Sequence, residues 1–472
     1  MSESNLEAPA ETGTATVPEP RLDEDDRLRP EFVRSVMERV EAGDADGARG
    51  LVEPLHPADI ADLFELVDSD DRGALAAALA DVLDADVLAE MNDHVRDELI
   101  DLLDPHQVAD IAGDMETDDA VAMIEDMEED EQRAVLRALD PDDRAAIEEA
   151  LTYPEESAGR LMQRDLVAVP EHWSIGQVID YLRAGEDLPT DFWEVFVVDP
   201  QHHPVGTCVL SWILRTPRKF AVADVMKREQ TLIPVDMDQE EVALRFQKYA
   251  LISAAVVDSA GRLVGMITVD DIVHIIQEEA SEDALLLSGV GEGDINEPVF
   301  DSYKARVRWL IANLGTALVA ATIIAQFEGT IVKMVTLAAL MPIVAGVGGN
   351  AGTQTLAVTV RALALNQLAH SNTTRAILRE IRVALLNGAT VALLIGVGIA
   401  AFFRDLTLGA VIGTAMLINI VIAGLAGVMV PLALDRAKAD PAVASSVFVT
   451  MVTDSMGFLV FLSLASASGL VG

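Results

Sequence analysis

The chain has 472 residues with 33 Lys+Arg against 78 Asp+Glu, a formal charge of −45, and one cysteine. Its length leaves room for several domains. The lone Cys208 excludes an internal disulfide and suits a reducing compartment, and the sign of the charge excludes nucleic acid as an expected partner. The average hides a split, because residues from Lys304 onward carry 11 Lys+Arg and 6 Asp+Glu, whereas residues 1–303 carry 22 and 72. An acidic soluble part thus precedes an apolar, slightly basic one. A surface adapted to high salt and a domain that collects divalent cations both account for the acidity, and the two are compatible.

Residues 1–26 have no apolar core and no basic residue before Arg21, so they read as a disordered acidic leader rather than a secretory signal. Residues 27–150 read as all-helical. The phrase Leu-x-Pro-x-x-x-Ala recurs as Leu55-Pro57-Ala61, Leu103-Pro105-Ala109 and Leu139-Pro141-Ala145. Asp104 and Asp140 stand as N-caps before a proline at the first helical position. Such repeats stack into a small superhelix, and no catalytic motif accompanies them.

Residues 151–215 and 216–276 form two related units, each running strand, helix, strand, turn, strand, helix. The shared core is a β-branched strand ending in Val-Asp, a turn, then a Val-Gly: Val198-Asp199 with Val205-Gly206, and Val257-Asp258 with Val264-Gly265. This arrangement resembles a tandem pair of CBS modules. The stretch Gly265-Met266-Ile267-Thr268-Val269-Asp270-Asp271 fits that family's pattern, in which a hydroxyl and an acid contact the ribose of an adenine nucleotide. The resemblance therefore implies Thr268 and Asp271 as contacts for ATP. The first unit lacks the acid.

Residues 277–303 connect these units to the apolar part through an acidic helix. Glu278 and Glu282 are four apart, as are Glu279 and Asp283, and like charges at that spacing weaken a helix. A solvated acidic face is the commonest cause. Here the segment leads into the first apolar run, and Asp435 and Asp440 return to the same level, so bound divalent cations would relieve the repulsion and tie the pieces together.

From residue 304 onward, five long runs follow: Trp309–Phe327, Met334–Val360, Val383–Phe403, Leu406–Leu434 and Pro441–Gly472, the last interrupted only by Asp454. Each reaches the roughly 17–25 residues that cross a bilayer, so residues 304–472 read as five transmembrane helices in a cell membrane. With the N-terminal domains placed in the cytoplasm, cytoplasmic flanks hold nine Lys and Arg and external flanks two, Lys333 and Arg404. An odd number of spans then puts the C-terminus outside. The second run concentrates Pro342, Gly346, Gly348, Gly349 and Gly352 beside Asn350. Small residues serve close helix packing. Clustered with polar ones they suggest interrupted backbone lining a pore, with Pro342, Gly346, Gly348, Gly349 and Asn350 as its wall. Asp454 is an acid at membrane depth, where a charge is costly and commonly functional. One reading is a structural aspartate bonded to a neighbouring helix. The other is a ligand for a hydrated hard cation, which favours oxygen donors. In a two-fold homodimer each chain would supply one such carboxylate, with Thr450 and Ser446 offering hydroxyls one and two turns earlier.

Domain order and two stretches, "PIVAGVGGNAGTQ" and "DPAVASSVFVTMVTDSMGFLVFL", together resemble the MgtE family of magnesium channels and transporters. The resemblance implies a multi-domain fold: an all-α superhelical N domain, an α/β tandem CBS pair, a connecting plug helix and an all-α five-helix transmembrane domain. It implies a homodimer with an axial pore, Asp454 at the central ion site, and closure by cytosolic Mg²⁺ at acidic interfaces. Asp440, Glu278, Glu279, Glu282 and Asp283 are the implied ligands there, with Asp59, Asp62 and Glu65 as candidates in the N domain. ATP binding would tune closure. Co²⁺, Ni²⁺ and Mn²⁺ stay open as alternative cargo. An intramembrane peptidase is the remaining enzymatic reading, and it lacks residues: one histidine, His370, outside the apolar runs, and a single intramembrane aspartate.

Overall fold

Proline at a helix start and aspartate before it organise the first part of the chain. In the computed structural model, which describes residues 21–470 apart from 126, 186–187, 190–191, 289–295, 369–372 and 444, ten short helices run from Pro30–Glu41 to Pro141–Ala150. Pro57, Pro105 and Pro141 each open one of them. Asp104 makes a full capping box with Gln107. Asp140 has the extended backbone of a cap but makes no side-chain cap bond, so the phrase marks the helix start while the bond varies. Leu63, Phe64, Leu75 and Leu88 centre one core of this unit, and Met123 and Ile124 a second. Residues 1–20 of the expected leader lie outside the described residues. Its end, residues 21–26, belongs to a turn in which Leu22 bridges Leu28, and Leu28 is buried in the first core.

The chain divides into two units, Met1–Glu155 with Met162–Leu166, and Glu156–Leu161 with Val167–Gly472. The second unit begins with two small sheets of one design. Strands β1 (Ala168–Pro170), β2 (Glu194–Val198) and β3 (Pro204–Val209) form the first; β4 (Leu232–Pro234), β5 (Ser253–Val257) and β6 (Leu263–Thr268) form the second. In each the first pair is parallel and the second antiparallel, with the same bulge, at Val197/Val198 and at Val256/Val257. The bulge sits where the Val-Asp repeat turns. Asp199 accepts the backbone N–H groups of Gln201 and His203, and Asp258 those of Ala260 and Arg262.

The two halves exchange straps. Ala158 and Gly159 donate to Met237 and Val235 beside the second sheet, while Lys227 exchanges bonds with Thr207 of the first. Val222 and Met226 accordingly sit in the first module's core, with Val169 and Val197.

Helix α1 (Gln239–Tyr249) lies between β4 and β5, and α2 (Val269–Ser288) continues from β6 through the acidic segment. Five long helices follow: α3 (Val299–Gln326), α4 (Thr336–Ala364), α5 (Thr373–Phe403), α6 (Leu406–Arg436) and α7 (Ser445–Ala467). By length and composition α3, α5, α6 and residues Ser446–Ala467 of α7 can cross a membrane. Helix α4 has the length, 29 residues, and Pro342 lies inside it without ending it; Gly, Asn, Thr and Gln dilute its apolar run. The expected interruption of the backbone is therefore not found. Neighbouring helices supply the packing that proline and glycine take away. Gly352 presses on Val449 and Thr453 of α7, where an added Cβ would lie 2.6 Å and 3.3 Å from their methyl carbons. Leu337, Leu340 and Val344 of α4 join Ile412, Met416, Phe461 and Leu462 in one core.

Candidate functional site

Three elements that are far apart in sequence bring carboxylates to one place. A cavity of about 280 Å³ is lined by Asp238, Glu240 and Glu241 at the start of α1, by Asp283 of α2, and by Asp435 and Asp440 from the end of α6 and the connection to α7. Leu363 and Ala364 at the end of α4 and Asn366 just after it close it, and among the described residues no lysine or arginine lines it. Asp238 caps α1 through the N–H of Glu240, and Asp440 accepts the N–H of Ala442. Glu241 pairs with Arg245 at 2.8 Å. Burial, then the neighbouring Glu279, Asp283, Asp238 and Asp440 charges, push the Glu240 carboxyl up to about 7. Burial and Asp440 likewise raise Asp283. Burial raises Glu279 too, against the bond it accepts from Gln239 Nε2 at 2.7 Å. Half-buried acids that raise one another's affinity for protons form a site short of positive charge.

Of the residues expected from sequence, Asp283 and Asp440 meet in this cavity, and Glu279 stands beside it. Glu278 is exposed on α2. Glu282 points elsewhere, into a cavity of about 560 Å³ that also holds Glu297, Asp301, Lys304 and Arg308. Glu240 and its neighbour Asp238 were not singled out from the sequence. They look like an ordinary acidic first turn, and only the fold carries them to Asp440.

In the helical bundle, Pro342, Gly346, Asn350 and Thr353 are exposed along α4 and Gly349 is partly so; their spacing of three to four residues puts them on one face. Gly348 is not on it. It is buried against Asn419 of α6, where a Cβ would lie 2.1 Å from the amide nitrogen. On α7, Thr450 is exposed and Ser446 and Asp454 are half-buried, each four residues apart. Helices α4 and α7 thus each carry a stripe of polar or small residues open to the surroundings, and they cross at Gly352, Val449 and Thr453.

At the second small sheet, Thr268 Oγ1 donates to Asp271 Oδ2 at 2.7 Å. The positions matching them in the first module hold Val209 and Trp212. In the helical unit, Glu116, Asp118 and Asp119 bring carboxylate oxygens within 4.8 Å of one another, and Gln163 Nε2 donates to Glu116. Of the candidates there, Glu65 accepts the N–H of Asn92 at 2.9 Å, and burial followed by Asp59 raises Asp62.

The architecture agrees with comparisons to known proteins. Residues 341–464 match the MgtE model described as a divalent cation transporter, residues 55–156 the MgtE intracellular N domain, and residues 222–278 the CBS domain. The magnesium transporter MgtE of Thermus thermophilus is 31% identical over 441 residues, 91% of this chain and 97% of that one. That of Enterococcus faecalis is 34% identical over 316 residues, 67% and 70% of the two chains. A crystal structure of the cytosolic domain of the Mg²⁺ channel MgtE in complex with ATP is 29% identical, with a TM-score of 0.47 over 52% of this chain and 99% of that one. The chain belongs to the MgtE family.

Proposed function

We propose that this chain is a CBS-regulated magnesium channel that conducts Mg²⁺ across the cell membrane and closes when cytosolic Mg²⁺ is plentiful. The observation that carries the pore assignment is the stripe Ser446, Thr450 and Asp454 on the open face of α7, a helix with no other charge. An acid and hydroxyls are costly against lipid. A second copy of the chain related by a two-fold axis would turn that stripe and the α4 face inward, so that two Asp454 carboxylates flank one water-clad cation. Mg²⁺ gives up its water reluctantly and is held by few carboxylates, which fits one acid per chain. The soluble domains are cytoplasmic and the C-terminus external in this reading, which the Lys and Arg distribution supports.

The regulatory ligands in this reading are Asp283, Asp440 and Glu240, with Glu279 beside them. Bound Mg²⁺ would satisfy carboxylates drawn from the CBS pair, from α2 and from the membrane helices, and it would favour the arrangement that holds all three together. A ligand shifts a conformational equilibrium only through such differential affinity. Thr268 and Asp271 are the proposed ATP contacts. Asp454→Ala tests the pore assignment: purified protein is expected to stay dimeric and to lose Mg²⁺ uptake into proteoliposomes. Uptake at the wild-type rate would end the assignment.

A further inference from the structure

A fully buried amide joins the three helices around the proposed ion path. Asn419 of α6 has no exposed surface, and its Nδ2 donates to the carbonyl of Val344 in α4 at 3.0 Å. Glycine walls the amide on both sides. A Cβ on Gly348 of α4 would lie 2.1 Å from Nδ2, and a Cβ on Gly457 of α7 would lie 2.8 Å from Nδ2 and 3.2 Å from Oδ1. Oδ1 itself finds no hydrogen-bond donor among the described residues.

A leucine, with the same branched heavy-atom skeleton, would fill the slot without burying an unpaired acceptor, which is costly in an apolar interior. Packing alone therefore does not explain an asparagine here. What the amide adds is direction: one hydrogen bond ties α6 to a fixed carbonyl of α4, while the glycine of α7 closes on the other side of the same group. Gly348 is two residues before Asn350 on α4, and Gly457 is three residues after Asp454 on α7.

We infer that Asn419 is a positioning residue for ion permeation, a three-helix staple that sets the α7 stripe carrying Asp454 against the open face of α4. This rests on the reading of Asp454 as the ion ligand.

The test uses full-length protein in proteoliposomes and measures Mg²⁺ flux against external Mg²⁺. Asn419→Leu is expected to keep the dimer and the wild-type melting temperature, to raise half-saturating Mg²⁺ at least tenfold, and to leave the internal Mg²⁺ that closes the channel unchanged. A change confined to stability, with saturation as in wild type, would overturn the inference. A second arm serves if that variant does not fold. Gly348→Ala collides with the amide and should lower flux at least tenfold in the wild-type background, but should add no further loss to Asn419→Ala. Additive losses would overturn the staple. Asp454→Asn run alongside separates the two claims: normal flux in Asp454→Asn removes the ion-site reading and this inference with it. Lost flux there, with normal saturation in Asn419→Leu, removes this inference alone.

Discussion

Gly352→Ala separates glycines that hold helices together from glycines that face open space. A Cβ at this position would lie 2.6 Å from Val449 Cγ1 and 3.3 Å from Thr453 Cγ2. Carbon atoms pack best at about 3.5–4.0 Å, so α4 and α7 would have to part by about 1 Å. Val449 cannot step aside easily, because it is buried and a β-branched side chain is stiff at χ1. Overpacking of this kind costs about 1–3 kcal/mol. Gly346→Ala is the control: nothing lies within 4 Å of its added Cβ, and alanine favours a helix over glycine by about 1 kcal/mol. Thermal unfolding of the detergent-solubilised protein, followed by size-exclusion chromatography, should show Gly352→Ala melting lower and Gly346→Ala melting no lower than wild type. Flux should fall in both, in the first because Thr453 adjoins Asp454 and in the second because a methyl narrows the path. A Gly352→Ala protein as stable as wild type would refute the reasoning about this crossing.

Further expectations concern the soluble part. The Glu240 acid holds its proton to about 7 when folded and to 4.5 when it is not shifted. Between those values the folded protein binds the extra proton, so stability without Mg²⁺ is greatest below the window and falls as pH rises through it. At the proposed site Mg²⁺ would displace that proton, so its affinity should rise with pH over the same window, with proton release seen by calorimetry. Glu240→Gln should flatten both trends, and unchanged trends in that variant would count against the cavity as the Mg²⁺ site. At the second small sheet, Thr268→Ala and Asp271→Ala should each weaken adenine-nucleotide binding roughly tenfold. Binding by isothermal titration should give one nucleotide per chain, because Val209 and Trp212 replace the pair in the first module. Two nucleotides per chain, or no effect of the substitutions, would contradict this.

Local patterns in the sequence carried the features that depend on neighbouring residues. The prolines at 57, 105 and 141 open helices because ring and cap chemistry act within a few residues. The Val-Asp repeat at 198 and 257 marks two identical turns for the same reason. The long apolar runs are helices because the backbone must satisfy itself in lipid. What stayed hidden depends on distance along the chain. Val222 looks like the start of the second module yet packs in the first, because strap exchange is decided by pairing between halves. Glu240 differs from dozens of surface acids only in meeting Asp283 and Asp440. Asn419 is one polar residue in an apolar run, and nothing nearby reveals that Gly348 and Gly457 make room for it. The same blindness placed Gly348 with Gly346, although one is covered and the other open.

The most direct test of the account is Mg²⁺ flux into proteoliposomes at fixed internal Mg²⁺, comparing wild type with a protein carrying Glu240→Gln, Asp283→Asn and Asp440→Asn. Wild-type flux should fall steeply as internal Mg²⁺ rises, and the triple variant should keep conducting at concentrations that silence it. Closure of both proteins at the same internal Mg²⁺ would contradict the claim that these carboxylates sense the ion.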